Sequence, residues 1–569
     1  MPITPRLLSI GLLAGLALLA AERDGRQVFM ESCQSCHQAV STTRAPLEEA
    51  LRKLPRERIM ASLASGSMKA QGNALAEGER ESVAAFLAAK PTQEVAPAPR
   101  CAAPMPPLRG APAWQGWGVD LGNTRHAPKP GLTAAQAPQL KLKWSFAFPK
   151  ANVAYGQPTI IDGRLFVGSD RGMVYALDAK SGCVYWTFQA DATIRTAITV
   201  NQGRLYFGDL KAHAYAVNAM DGALLWKTKV DEHPLARVTG SPMLHDGRLY
   251  VPVSSVEEVA PASPKYLCCT FRGSLVALDA STGATHWKRY TIPAEPQPTN
   301  INSAGTQLYG PSGAAVWAAP TIDAKRQLVY VATGNGYSDP ANAFTDAVIA
   351  FDLVSGTRRW VRQLTVGDGW NFACSNPNKA NCPASRGEDF DIGASPVLGR
   401  WLYIGQKSGL VYALDPDQEG RIVWQARVGH GGALGGIQWG MALDERALYV
   451  PLSDFGVDRR KPDVKPGGLF ALDPQTGVKL WSTLPPKPVA FQAAATVAAD
   501  VVYSGAMDGM LRAYDRKAGA VLWEFDTRAV GGGSISGGGP VVAEGMLFVM
   551  SGYGSLGGLP GNVLLAFAP

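Results

Sequence analysis

At 569 residues, with 46% hydrophobic positions and 62 glycines, the chain is long enough for one large domain and a small one and too apolar to be disordered. The formal charge of +7 comes from Lys and Arg scattered singly, with no basic run and no aromatic-basic motif, which argues against a nucleic-acid partner.

The chain opens with Arg6, an apolar run from Leu7 to Leu19 and small residues at Ala20 and Ala21, after which it turns polar. That pattern predicts a secretory signal over residues 1–21 and a periplasmic protein. The run is short for a bilayer span, so membrane association is expected only if the signal stays uncleaved. Export also permits disulfides among the eight cysteines.

Cys33-Gln34-Ser35-Cys36-His37 is the covalent haem attachment pattern: the thiols of Cys33 and Cys36 take the vinyl groups and His37 becomes an axial iron ligand. A redox dithiol or half a zinc site would need a βαβ pattern or a second Cys/His pair, and neither is near. The second axial ligand is expected from Met68, on a loop between a helix around 55–64 and a helical run over 76–87, and Met60, inside the first helix, is the alternative. The predicted cytochrome c domain covers 22–92, and an Ala/Pro-rich linker covers 93–112.

From about Trp117 onward one pattern recurs: Ala, an apolar residue, Asp or Asn, a turn with Gly, then Trp. It runs from Ala176-Leu177-Asp178 to Trp186, from Ala216 to Trp226, from Ala277 to Trp287 and from Ala350 to Trp360, then from Ala413 to Trp424, Ala471 to Trp481 and Ala513 to Trp523. Spacings of roughly 40 to 70 residues, filled with short β-rich runs, fit one four-stranded blade each. Trp144 lacks an Ala-x-Asp before it and Leu564-Leu565-Ala566-Phe567 lacks a Trp after it, so the two halves should complete one more blade and close an eight-bladed ring. The fold expected is an all-β eight-bladed propeller over 113–569, preceded by a small all-α cytochrome. The repeat tryptophans should pack between blades and carry no chemistry.

With Trp117-Gly118 and Asn123-Thr124-Arg125 ahead of it, this repeat resembles the pyrroloquinoline-quinone dehydrogenases. The N-terminal cytochrome and Cys268-Cys269-Thr270-Phe271-Arg272-Gly273 make the chain look most like the polyvinyl-alcohol dehydrogenases, whereas other quinohaemoprotein alcohol dehydrogenases carry the haem at the C-terminus. The resemblance implies pyrroloquinoline quinone, haem c and Ca²⁺ as cofactors, an alcohol substrate, and a soluble cytochrome or other electron acceptor.

A flat tricarboxylate quinone needs cations, planar surfaces above and below, and a metal. By resemblance, Arg195 and Thr239 bind the quinone, Trp317 lies outside the repeat as its floor, and Lys407 contacts its oxygens. Ser254-Ser255-Val256-Glu257 is similar to the family's Ser-Gly-Ala-Glu, which puts Ser254 at the cofactor and makes Glu257 a calcium ligand, with Glu258 as fallback. Asn335, in Thr333-Gly334-Asn335-Gly336, resembles the second calcium ligand. Cys268 and Cys269 match a vicinal disulfide forming the roof, against two separate thiols. Cys374 and Cys382 bracket a loop and are expected to pair, leaving Cys101 and Cys183.

Oxidising an alcohol by hydride transfer requires a carboxylate to take the hydroxyl proton. Asp368-Gly369-Trp370 matches the start of the family's acidic motif, but Asn371 stands where the acid is expected. Asp389 and Asp391, beyond an inserted loop, are the expected bases, with Asp368 third. Two rivals remain: a quinone-free propeller scaffold, for which Asn371 speaks, and a cytochrome-propeller nitrite reductase, which needs a second haem on His233, His286 or His430.

Overall fold

A computed structural model describes residues 23–37, 45–52, 54, 56–64, 66–88, 99–127, 130–455 and 467–569. The signal expected over 1–21 lies outside them. The chain divides into two compact units, Met1–Glu94 and Val95–Pro569. Among the described residues no helix is long and apolar enough to cross a bilayer.

The first unit is helical: Gly25–Ser32, Glu48–Leu51, Arg56–Ala64, Lys69–Asn73 and Glu77–Leu87. Asp24 starts the first helix by accepting a hydrogen bond from the Gln27 amide. Val28, Phe29, Ile59, Leu63, Val83 and Leu87 form its core. A Cβ on Gly25 would stand 2.0 Å from the Ser82 carbonyl oxygen, so glycine is what lets the first and last helices touch.

The second unit is a ring of eight antiparallel sheets. In every blade the repeat Ala lies directly opposite the repeat Trp across the two outer strands, Ala176 opposite Trp186 and Ala513 opposite Trp523 among them. The small side chain leaves room for the indole. Most of these indoles donate to a carbonyl of the next blade, Trp186 to Ala219 and Trp226 to Ala280, and stack on that blade's turn glycine. The repeat is therefore the wording of an interblade joint.

Ring closure follows the split-blade expectation. Lys141–Ala147 pairs with Val563–Ala568, setting Trp144 opposite Ala566, and Trp523 donates to the Leu140 carbonyl. The ring is thereby closed, leaving only the short edges of the individual blades.

Two features were not anticipated. Residues 99–112 are bound to the propeller surface rather than acting as linker: Cys101 is disulfide-bonded to Cys183, Arg164 donates to the Pro106 carbonyl, and Asp162 accepts from the amides of Arg109 and Gly110. Residues 115–127 then cross the ring, bonding to blade after blade. Ile322 donates to the Leu121 carbonyl, Leu398 to Gly122 and Leu443 to Thr124, and His126–Ala127 joins a fifth, parallel strand to the 496–526 blade. Arg125, wholly buried, spreads its guanidinium over carbonyls of Trp117 and Ala495 and the hydroxyl of Thr496.

Candidate active site

Cys33 and Cys36 follow the helix Gly25–Ser32 and lie outside all three disulfides. His37 is buried, with Nδ1 2.7 Å from the Pro46 carbonyl oxygen. A carbonyl only accepts, so Nδ1 carries the proton and Nε2 keeps its lone pair, as an axial ligand requires. Met68 caps the helix Lys69–Asn73 and packs, with Cys33, on the helical core. Met60 packs there too. Histidine, thiols and thioether thus suit a haem.

In the propeller, the segments leading into successive blades converge on the axis and enclose a cavity lined by Trp117, Tyr155, Arg195, Thr239, Trp317 and Trp439. Arg195 lays its guanidinium over Trp439 at 4.2 Å and Tyr155 at 5.4 Å, and its buried Nη2 has no partner among the described residues. Trp317 meets Trp439 edge-on at 5.3 Å. The hydroxyls of Thr239 and Ser254 are 2.7 Å apart, and Ser254 is buried, bonded back to the Arg237 carbonyl. Ser254 therefore sets the Thr239 hydroxyl.

Beside Trp317 sits a cluster of acids. Lys407 Nζ is 3.0 Å from Asp389 Oδ1 and 2.5 Å from Asp391 Oδ2, and 5.5 Å from the Trp317 ring centre. The Asn335 amide N–H donates to Asp391 Oδ1 at 2.7 Å and its side-chain Nδ2 to Asp389 Oδ1 at 3.1 Å. Asp368 accepts from the backbone amides of Asp389 and Phe390 at 3.0 and 2.6 Å, fixing a turn in which Asp389 adopts φ of 64°.

The three candidate bases are thus distinguished. Asp368 and Asp391 have both oxygens engaged, whereas Asp389 keeps Oδ2 without a hydrogen-bond partner among the described residues. Burial pushes the Asp389 carboxyl well above the usual range, opposed by Lys407, which is itself held protonated by Asp389 and Asp391 against the effect of burial. Asp346, also fully buried with neither oxygen partnered among the described residues, is raised by burial and by Asp391.

Glu257, the expected metal ligand, already has protein donors on its carboxylate. Its carboxylate, wholly buried, accepts from the amides of Thr270 (2.9 Å) and Phe271 (2.8 Å) and from the Tyr266 hydroxyl (3.0 Å). The fallback Glu258 is the one electrostatically coupled to Asp391 and Lys407, its carboxyl pushed up to about 7 by burial and by Asp391. The strand Arg248–Ser255 ends in a tight 3₁₀ turn over Glu257–Ala262, which points consecutive side chains to different surroundings.

Cys268–Cys269, Cys374–Cys382 and Cys101–Cys183 are all disulfides. The vicinal pair is buried in one apolar cluster with Phe271, Tyr337 and Trp317. Asn371 is buried beside it, donating from Nδ2 to the carbonyls of Tyr337 and Asn381 and accepting from the Ala373 amide. Its amide ties the inserted loop to the Gly336–Ser338 strand through two donated hydrogen bonds that an ionised acid could not make. Of the histidines, His233 contacts Thr270 and Glu257, His286 contacts Asp279, and His430 is bound through its backbone to Asp454.

Orphaned buried polar atoms mark what the site lacks: Arg195 Nη2, Trp117 Nε1 and Asn335 Oδ1 are unpartnered among the described residues. A planar polyanion would satisfy the first two, and a hard cation would satisfy Asn335 Oδ1 and relieve the raised carboxyls. The residues fit both groups.

Residues 20–87 match the family described as cytochrome c oxidase, cbb3-type, subunit III, and residues 117–373 and 407–563 match that described as outer membrane protein assembly factor BamB, whose blade repeat the propeller shares. A propeller with this axial site, carrying a haem-binding cytochrome, defines the quinohaemoprotein dehydrogenases, whose cofactors are pyrroloquinoline quinone and haem c. The polyvinylalcohol dehydrogenase of a Pseudomonas species is 40% identical over 96% of this chain and 93% of its own length, and that of Sphingopyxis sp. strain 113P3 is 38% identical over 98% and 94%. The chain belongs to the polyvinyl-alcohol dehydrogenase family, enzymes that oxidise alcohols with the quinone. The quinohaemoprotein alcohol dehydrogenase ADHIIG of Pseudomonas putida shares the fold, with a TM-score of 0.63 at 19% identity over 80% of each chain.

Proposed function

We propose that this is an exported periplasmic enzyme oxidising secondary alcohols, polymeric ones included, and passing the electrons singly through its haem to a soluble acceptor. Near-full-length relatives bearing the name polyvinylalcohol dehydrogenase support the substrate class. The observation that carries the chemistry is the uncommitted Oδ2 of Asp389 beside Lys407 and Trp317.

In this reading Arg195, Thr239 and Lys407 would hold the quinone, with Ser254 behind Thr239, and Trp317 and the Cys268–Cys269 disulfide would supply its planar contacts. Glu258 and Asn335 hold Ca²⁺, with Asp389 and Asp391 adjoining. Once bound, the quinone supplies a two-electron acceptor whose carbonyl the cation polarises. Asp389 takes the substrate hydroxyl proton on Oδ2 as the C–H bond breaks. Lys407 and the Asn335 amide stabilise the ionised carboxylates, and Asp368 holds the backbone that aims Asp389. His37 and Met68 hold the haem iron, and Cys33 and Cys36 anchor the porphyrin. Sharing one chain replaces a bimolecular encounter by a tethered one. Residues 1–21 would be the signal and 22–92 the cytochrome.

The test is to purify the exported protein, add the quinone with Ca²⁺, and follow the haem spectrum as short secondary alcohols and polyvinyl alcohol are supplied. Haem reduction is expected; none with any alcohol would sink the reading.

A further inference from the structure

Adjacent residues Glu257 and Glu258 have different surroundings: Glu257 is bonded to Tyr266, Thr270 and Phe271, whereas Glu258 feels Asp391 and Lys407. We infer that Glu257 is a positioning residue that clamps the Cys268–Cys269 disulfide at a fixed height over the quinone plane, and is not a metal ligand. The inference rests on the quinone lying between that disulfide and Trp317.

The clamp grips both flanks of the cysteine pair. Upstream, the Tyr266 hydroxyl donates to Glu257 Oε1 at 3.0 Å, and the Tyr266 carbonyl in turn accepts from the Cys268 amide at 2.8 Å. Downstream, Thr270 and Phe271 donate their amides to the two carboxylate oxygens at 2.9 and 2.8 Å. His233 Nε2 stands 3.6 Å from Oε1 and 3.2 Å from the Thr270 hydroxyl. Because Leu235 donates its amide to His233 Nδ1, the ring proton sits on Nε2 and faces this cluster. With its lone pairs drawn to three amide or hydroxyl donors, a wholly buried carboxylate has little left for a cation.

A second support comes from the far side. The hairpin Gln297–Ile301 with Gln307–Gly310 meets the pair through Tyr309, whose carbonyl accepts from Cys269 and whose amide donates to Cys268. The hairpin strand 297–301 is exposed along its length, so it is a weak backing by itself. The buried Glu257 carboxyl, with its three donors, is the other backing. Glu257 and Glu258 share one short 3₁₀ turn.

Full-length Glu257→Gln, Glu258→Gln and wild-type proteins decide this. Glutamine at 257 turns one acceptor into a donor facing an amide donor, so in quinone-free protein thiol reduction of Cys268–Cys269, mapped by alkylation and mass spectrometry, should speed up about tenfold. Reduction of Cys374–Cys382 should not change. Quinone fluorescence titrations should show Glu257→Gln weakening quinone binding at saturating Ca²⁺ while the Ca²⁺ concentration for half-saturation stays at the wild-type value; Glu258→Gln should raise that concentration. Unchanged reduction of the vicinal disulfide in Glu257→Gln, or a tenfold shift in its calcium half-saturation, overturns the inference. If Glu257→Gln does not fold, Tyr266→Phe removes one donor and should speed the reduction about threefold; no change there is equally fatal. Wild-type protein that binds no quinone would sink the proposed function, while the reduction rates would still judge the clamp.

Discussion

Asn335 and Asp389 are joined by a 3.1 Å hydrogen bond from the amide Nδ2 to Oδ1, which leaves Asp389 Oδ2 and Asn335 Oδ1 without hydrogen-bond partners among the described residues. Asp389→Asn should therefore lower kcat by about a thousandfold, within the usual range for loss of a general base, with quinone still bound. Asp391→Asn should act mainly on quinone affinity, through Lys407. Steady-state kinetics beside quinone titration separates the two, and full activity of Asp389→Asn would move the base elsewhere.

Calcium affinity should depend on pH through Glu258. Its carboxyl, at about 7 against an ordinary 4.5, must lose its proton to ligate, so the calcium half-saturation should rise as pH falls below 7. The stability sign runs the other way. An acid raised by folding binds protons that the unfolded chain has released, so between pH 4.5 and 7 this group destabilises the cation-free protein increasingly. The gain in melting temperature on adding Ca²⁺ should grow over that interval, and a pH-independent gain would count against Glu258 as ligand.

Asn371→Asp should not supply a missing base. A carboxylate there would face the carbonyls of Tyr337 and Asn381 in place of the amide that now donates to both, at a cost of roughly 2 to 4 kcal/mol. Thermal unfolding should show lowered stability and the assay no gain in rate. An active, equally stable variant would show that the loop tolerates the acid.

Two glycines of similar backbone test the interblade joint. Gly222 and Gly203 have φ of 75° and 73°, but a Cβ on Gly222 would lie 2.6 Å from the Trp186 ring, whereas nothing lies within 4 Å of one on Gly203. Gly203→Ala should cost about 1 kcal/mol from the left-handed backbone alone, and Gly222→Ala should cost more by about 1 to 3 kcal/mol. Equal losses in chemical denaturation would mean the indole moves aside freely.

The blades were legible because each Ala-x-Asp…Gly…Trp copy encodes one local joint, and the unmatched Trp144 and Ala566 announced closure. The site was only partly legible. Lys407, Asn335, Asp389 and Asp391 come together in the folded ring, but the three protein donors on Glu257 were not legible, since a spacing cannot show where a 3₁₀ turn rotates successive side chains. Trp439 and Tyr155 were missed as partners of Arg195. Trp439, like Trp317, stands outside the repeat, and that was the available signal. Glu258 was legible only as the fallback to Glu257, and Asp346 gave no signal beyond its acidity, because burial is a property of the folded ring.

Because Lys141–Ala147 has no partner until Val563–Ala568 arrives, a nascent chain emerging in order from a ribosome or translocation pore holds an unmatched β-segment through the synthesis of more than 400 intervening residues. Its exposed backbone is then a target for wrong pairings, so maturation of this protein should be sensitive to chaperones that shield extended polypeptide during delivery.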